Sequence, residues 1–190
     1  DPRGWIISNT FLALMDSKNS TLRAGTDAGE VKWFSVELEK KEIKREANEE
    51  AVYIETDYVL HLVHQEDETA FAVKVREHKS FQNYHESVNY EILEDGNLAF
   101  DHGKIILQTL LSLRKEVEND ARIVFDLMPE LFTLTQLQHA FEILLDEELL
   151  KANFRRKIAN YVVETEQSIE GAGHRPAKLF KRNVEAFYKE

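Results

Sequence analysis

Arg155, Arg156 and Lys157 stand side by side, with Lys151 just before them and Arg175, Lys178, Lys181 and Arg182 following in the same block. Guanidinium and ammonium groups gathered in this way bind anions, and a polyanion such as a nucleic-acid backbone engages several at once. Residues 151–182 hold eight Lys/Arg against three Glu, a local net charge of +5. The whole chain carries −11, so everything outside the block amounts to −16. A segment whose charge opposes the field of its own chain is poorly explained as solubilising surface, although any one of these cations taken alone could simply be solvated.

A second group of residues has the spacing for metal chemistry. Carboxylates close together on one helical face hold Mg²⁺ against a diphosphate. The run Arg45-Glu-Ala-Asn-Glu-Glu50, with Glu37 upstream, is similar to the R-E-x-x-E-E core of the Nudix hydrolase signature. Both glycines of that signature are missing, since Val31 and Val52 occupy the positions that must turn sharply. A solvated, charged helix yields such matches without a metal, so neither a metal site nor a catalytic residue is expected in this chain. His61, His64, His78 and His85 also invite a metal reading, yet in a strand His61 and His64 point to opposite faces. Asp101 and His102 could do acid–base work at a domain junction, although a helix cap explains Asp101 nearly as well. No phosphate-binding glycine loop, G-x-S-x-G elbow or H-E-x-x-H helix is present in the sequence.

Positioning these side chains requires real cores, and 190 residues with 43% hydrophobic content suffice for one large domain or two small ones. The absence of cysteine removes disulfides, Cys-based zinc sites and thiol nucleophiles. No apolar run approaches the roughly 18–20 residues of a membrane span. A soluble, cytoplasmic protein with no membrane partner is expected. The chain opens on Asp1, and Trp5 to Leu14 reads as a strand in mid-domain, so a fragment lacking its natural N-terminal part is expected.

Apolar, β-branched runs at 5–15 and 31–36 predict two strands of one sheet, and β-type alternation returns at 52–54, 58–63, 70–75 and 88–93. Gln65-Glu-Asp-Glu68 suits a hairpin tip. From Asp101 the period becomes helical, with Ile105, Ile106, Thr109, Leu110 and Leu113 on one face. A second domain follows from about residue 120. There Thr133-Leu-Thr-Gln136 is a capping box, flanked by Phe132 and Leu137 at the staple positions, and Leu134, Leu137, Phe141, Leu144 and Leu145 form a buried stripe.

A second helix is expected to start near Asn153, with Phe154, Ile158 and Tyr161 inward and Arg155, Arg156, Ala159 and Asn160 outward. On that reading Arg155, Arg156 and Lys157 lie in its first turn, where the helix dipole makes each cation cost about 0.3–1 kcal/mol. Such a cost points to a bound anion. Two strands, Tyr161 to Ser168 and Ala177 to Arg182, then enclose a glycine-rich tip with Arg175. Helix, helix and hairpin in this order form a winged helix, whose second helix enters the major groove while a tip arginine reaches the minor groove.

These segments resemble a known family. Phe132-Thr-Leu-Thr-Gln-Leu-Gln, Ala152-Asn-Phe-Arg-Arg-Lys and Gly173-His-Arg-Pro-Ala-Lys-Leu-Phe are similar to the C-terminal winged helix of the Nudix-related transcriptional regulators. Leu98-Ala-Phe-Asp-His102 resembles that family's junction motif, and Asp1-Pro-Arg-Gly and Asp27-Ala-Gly-Glu-Val-Lys-Trp-Phe34 resemble segments downstream of its Nudix box. The resemblance covers about 1–36 and 98–182. It implies an α+β chain: the C-terminal half of a Nudix-like mixed β-sheet domain over 1–118, with inserted strands at about 37–97, and a winged helix-turn-helix domain over 119–190. The implied function is a homodimeric regulator that binds double-stranded DNA and senses an ADP-ribose-like ligand, its genes usually those of NAD or pentose metabolism. The DNA-binding residues would be Lys151, Asn153, Arg155, Arg156, Lys157, Asn160, His174, Arg175 and Lys178. Ligand contacts would fall to Arg3, Asp101 and His102. The chain departs from the family's pattern in the longer stretch 37–97 and in His174 at the wing. The rival expectation is a Mg²⁺-dependent Nudix hydrolase of the ADP-ribose pyrophosphatase type, whose box lies upstream of Asp1; a third is an interaction module built on the extra strands. No cofactor is expected in the fragment itself, Mg²⁺ belonging to the full-length protein.

Overall fold

The computed structural model describes residues 9–15, 20–25, 29–67, 69–171 and 174–187, apart from the side chains of residues 170, 171, 174 and 175. They fall into two compact units, one running to Thr109 and the other beginning at Leu110, with Ala13 and the residues just after it counted in the second. The architecture is α+β, with an antiparallel sheet in the first unit and a winged helix in the second.

The first unit is built on four antiparallel strands in the order β1 (Ser35–Ala47), β2 (Ala51–Val63), β3 (Ala70–Gln82) and β4 (His85–Glu94). Period-two alternation gives the sheet two unlike faces. On one, Tyr58, Leu60 and Leu62 of β2 lie beside Val73 and Val75 of β3, all buried. On the other, Asp57 stands opposite Arg76, whose guanidinium donates to both carboxylate oxygens at 2.7 and 3.1 Å. Those bonds hold the Asp57 carboxyl below the usual carboxylate range. The outer strands are mostly exposed, β1 dense in Lys and Glu and β4 carrying three Glu, a composition that discourages edge-to-edge pairing.

Local chemistry sets the turns. Asn83 and Tyr84 both have positive φ, 50° and 64°, the signature of a two-residue type I′ hairpin. Gly96 follows β4 at φ 58°, where a Cβ would fall 2.1 Å from the Ala72 carbonyl oxygen, so only glycine fits. The helix α1 (His102–Asn119) then covers the apolar face with its first turns. Gly103 lies so close to the sheet that a Cβ there would meet Val73 Cγ1 at 2.5 Å, and Leu107 is fully buried.

Several expectations change. Residues 9–15 form no strand, and residues 5–8 lie outside the described residues. The strand expected at 31–36 begins only at Ser35 and runs on through the charged stretch to Ala47, where a solvated helix was the expectation. The runs 52–54 and 58–63 merge into one strand. All the strand pairings among the described residues of this unit are antiparallel and lie almost wholly within 37–97, the stretch expected as an insertion into a mixed sheet.

The metal-like run also resolves differently. Arg45 and Glu46 end β1, while Glu49 and Glu50 sit in the β1–β2 turn, where the Asn48 side chain accepts the Glu50 and Ala51 amides at 2.9 and 2.8 Å. A strand end and a turn do not give these carboxylates a shared helical face. Among the described residues no three His, Asp or Glu side chains gather as a metal site. No helix among them is long and apolar enough to cross a membrane.

The second unit takes the remainder of α1 and adds α2 (Arg122–Phe125), α3 (Leu134–Leu145), α4 (Lys151–Ile158), β5 (Val162–Gly171), β6 (His174–Arg182) and α5 (Val184–Phe187). Its core joins Val117, Phe125, Phe132, Leu137, Phe141, Leu145, Phe154 and Ile158. Phe125 is the hub, with the rings of Phe132, Phe141, Tyr161 and Phe187 at 5.3–6.5 Å. Phe132 exchanges two backbone hydrogen bonds with Phe180 at 3.0 and 2.8 Å, laying a third chain segment beside β6 just before α3 begins.

Candidate nucleic-acid interface

The helix-turn-helix is fixed at both ends of α3. Thr133 accepts the Gln136 amide at 3.1 Å while the Gln136 side chain accepts the Thr133 amide at 2.8 Å, a complete capping box. Leu137, Phe141 and Leu145 are the buried stripe, with Leu134 and Leu144 packed partly against it. At the other end Asp146 takes the left-handed conformation, φ 57°, and its carboxylate receives Arg114 from α1 at 2.9 Å. Across the turn Gln138 donates to Glu142 at 2.9 Å and to the Leu149 carbonyl at 2.7 Å, and Glu142 accepts the Leu149 amide at 3.0 Å. Chiefly through the Gln138 bond, this network holds the Glu142 carboxyl below its ordinary value.

That brace sets where α4 begins. The helix starts at Lys151, two residues before the expected start, with Leu150 as a cap residue that offers no side-chain hydrogen bond. Arg155, Arg156 and Lys157 therefore fall in the last turn, not the first. There the dipole favours cations, so the supposed cost that pointed to an anion does not arise. What remains is which way the side chains face and what they touch.

Phe154 and Ile158 are buried, while Lys151, Asn153, Arg155, Arg156, Lys157 and Asn160 are all exposed. Lys151 and Arg155 make no hydrogen bond or ion pair with another described residue. Arg156 donates to Asn153 Oδ1 at 3.1 Å, and the Lys157 ammonium lies 6.0 Å from the centre of the Phe141 ring. The exposed side of α4 thus presents four cations, none of them in an ion pair among the described residues, with Glu142 feeling the Lys151 charge only at longer range. Beside it a groove of ≈ 730 Å³ opens between the start of α3, α4 and the wing, lined by Thr133, Thr135, Arg155, Ile158, Val162 and Lys178 among others.

Lys178, on β6, faces the groove, but its ammonium is engaged by Glu164 of β5. His174 and Arg175 begin β6, and their side chains lie outside the described residues. Arg3 also lies outside them. Asp101 and His102 belong to the first unit, both exposed at the head of α1, where the Asp101 carbonyl accepts the Ile105 amide at 3.0 Å. Phe100, immediately before them, is held at φ 51° with its ring 6.4 Å from that of His102.

Not every cation of the basic block is open. Arg182 donates to the Phe125 carbonyl, pairs with Asp126 at 3.1 Å and stacks over Phe187 at 5.3 Å, all structural duties. Neither these ties of Arg182, nor the Phe132–Phe180 bridge, nor the brace across the turn is among the features expected from the sequence. Only the brace had a local signal, the Gln138/Glu142 pair at i, i+4.

Residues 124–181 match the family described as NrtR DNA-binding winged helix domain. The match runs from the end of α2 to the end of the wing and takes in every described cation of the α4 face. The chain is also 42% identical over 87 residues to the "ADPR responsive transcriptional repressor NtrR" of Acinetobacter baylyi (strain ATCC 33305 / BD413 / ADP1). That stretch is 45% of this chain and 34% of the relative, so the alignment spans about a third of the relative's length. Within the second unit, residues 124–181 are thus a winged helix similar to the NrtR-type DNA-binding domain.

Proposed function

We propose that this chain belongs to a transcriptional repressor whose winged helix binds duplex DNA and whose remaining part senses an ADP-ribose-type ligand. The observation that carries the DNA-binding half is the exposed side of α4, where Lys151, Arg155, Arg156 and Lys157 stand without an ion pair among the described residues, beside a groove bounded by the wing. The α4 face supplies the direct contacts, and Lys178, His174 and Arg175 extend them along the wing. The sensing half draws its support from the relative's name and from the junction segment Leu98 to His102, with Asp101, His102 and Arg3 as the ligand-facing residues. In this reading residues 1–118 are the sensing part, Nudix-like in kind, and 119–190 the reader. The protein works as a homodimer. Ligand binding favours a dimer geometry in which the two α4 helices no longer match successive major grooves about 34 Å apart.

The test is fluorescence anisotropy of the full-length protein on a duplex carrying the region upstream of its own gene. Affinity should fall as salt rises, with a log–log slope of about −0.9 per phosphate engaged. The double variant Arg155→Ala/Arg156→Ala should weaken binding by about tenfold or more and flatten the slope by about one unit for each phosphate it no longer engages. Added ADP-ribose should release the duplex from the wild type. Salt-independent or absent binding, or a double variant that binds like the wild type, overturns the DNA-binding reading. Unaltered binding in saturating ADP-ribose overturns the sensing half alone.

A further inference from the structure

We propose that Glu164 is a built-in substitute for a DNA phosphate: its carboxylate holds the Lys178 ammonium in the free winged helix, and a duplex must displace it before Lys178 can reach the backbone. The inference rests on the DNA-binding reading above and concerns how that same surface is restrained.

Glu164 of β5 and Lys178 of β6 form a direct ion pair, and both line the groove that also holds Arg155. Their side chains are 49% and 60% exposed, so the pair sits at the mouth of the groove, where an incoming strand can reach it. A carboxylate here is an anion among the cations of a surface built for anions. Its position is unlike that of the two pairs of the unit that join separate elements. Arg114 with Asp146 ties α1 to the turn after α3, and Arg182 with Asp126 and the Phe125 carbonyl ties the wing to the end of α2. Lys178 and Glu164 join two strands that backbone bonds already join, with the Thr165 hydroxyl donating to the Leu179 carbonyl at 2.8 Å as a further local tie. An exposed pair of this sort contributes little to stability.

The consequence lies in binding. A carboxylate that occupies Lys178 subtracts from the phosphate attraction, which is the same for every sequence, and leaves the outward α4 side chains free to meet base edges. Glu164 therefore lowers affinity for arbitrary duplex DNA. By trimming only that common attraction, it keeps the domain from being held on sites that do not match α4.

The experiment compares the wild type, E164Q, K178Q and the double variant of this chain on a random-sequence duplex across a potassium chloride series, with thermal unfolding of each. E164Q should bind about three- to tenfold tighter at low salt, the gain shrinking as salt screens the charges. K178Q should bind more weakly than the wild type, and most of the E164Q gain should vanish in its background. The unfolding midpoint of E164Q should match that of the wild type. Equal or weaker binding by E164Q, a gain undiminished by K178Q, or a marked drop in the unfolding midpoint overturns the proposal while leaving DNA binding standing. Failure of both wild type and E164Q to bind any duplex overturns the DNA-binding reading and this inference with it.

Discussion

In the sheet of the first unit Lys44, Arg45, Lys74, Arg76 and Lys79 each have a carboxylate within 4.0 Å, on their own strand or the next. On the outward face of α4 Lys151 and Arg155 have none among the described residues, Arg156 has only an amide, and Lys157 has only an aromatic ring. Charge density is high in both places, but in the sheet most of it is answered by ion pairs within the strands, Lys40 and Lys41 of β1 excepted, whereas on α4 no cation has such a pair among the described residues. Net charge therefore misleads for this chain. The −11 total would repel nucleic acid, yet a phosphate meets the local field of α4 and the groove before it meets the average. The last-turn position of the arginines strengthens the contrast, since the helix itself stabilises them there.

The strongest way to break the comparison is to remove the scaffold that aims α4. Phe125 packs against four rings and is fully buried, so Phe125→Ala should cost the winged helix about 3–5 kcal/mol. Amide hydrogen exchange should show α3 and α4 losing protection together, and duplex binding should fall with them. If α4 keeps its protection, the aromatic hub is not what positions the open cations.

A smaller effect sharpens the same point. Thr133→Ala removes one half of the capping box and should cost about 1 kcal/mol, read as a lowered urea midpoint for the α3 signal. Because α4 is aimed through α3 and the Gln138–Glu142–Leu149 brace, the variant should also weaken duplex binding modestly. An unchanged midpoint would mean that the Phe132–Phe180 rung alone sets where α3 starts.

These elements also mark where sequence was a sufficient guide. The capping box and the Leu137, Phe141, Leu145 stripe were legible because each is decided within four or five residues. The start of α4 was not. Asn153 is a good cap by type, but the chain enters the helix at Leu150 and Lys151 because Gln138 reaches the Leu149 carbonyl eleven residues on, which no local pattern encodes. Strand β1 failed for a related reason. Its many Lys and Glu suggest a solvated helix, yet a long, well-formed β2 offers a free edge, and tertiary pairing outweighs a weak propensity. The open cations of α4 were legible as a set, although the helix dipole favours them where the sequence suggested that it opposes them. The partners that tie down Arg182 lie across the fold, and the one that ties down Lys178 sits on the neighbouring strand of the wing; neither could be read from spacing.

The finest test asks whether the answered charges of the sheet matter to it at all. Arg76 holds the Asp57 carboxyl below its ordinary range, chiefly by hydrogen bonds to the charged form. A folded-state value below the unfolded one means the pair's stabilisation is fully present above the unfolded carboxylate value, about 3.9, and is lost as pH falls through the folded value. Exchange protection of β2 and β3 in the wild type should accordingly decline as the pH drops below about 4. Asp57→Asn should reduce protection at neutral pH, leave Arg76 without its counter-charge, and flatten the acid limb because no proton is left to bind. Glu142, whose carboxyl is also lowered, gives the winged helix an acid limb of its own. If the sheet's acid limb survives Asp57→Asn unchanged, its ion pairs merely accompany the backbone ladder. The contrast with α4 would then be one of surface decoration against function, not of two ways of using charge.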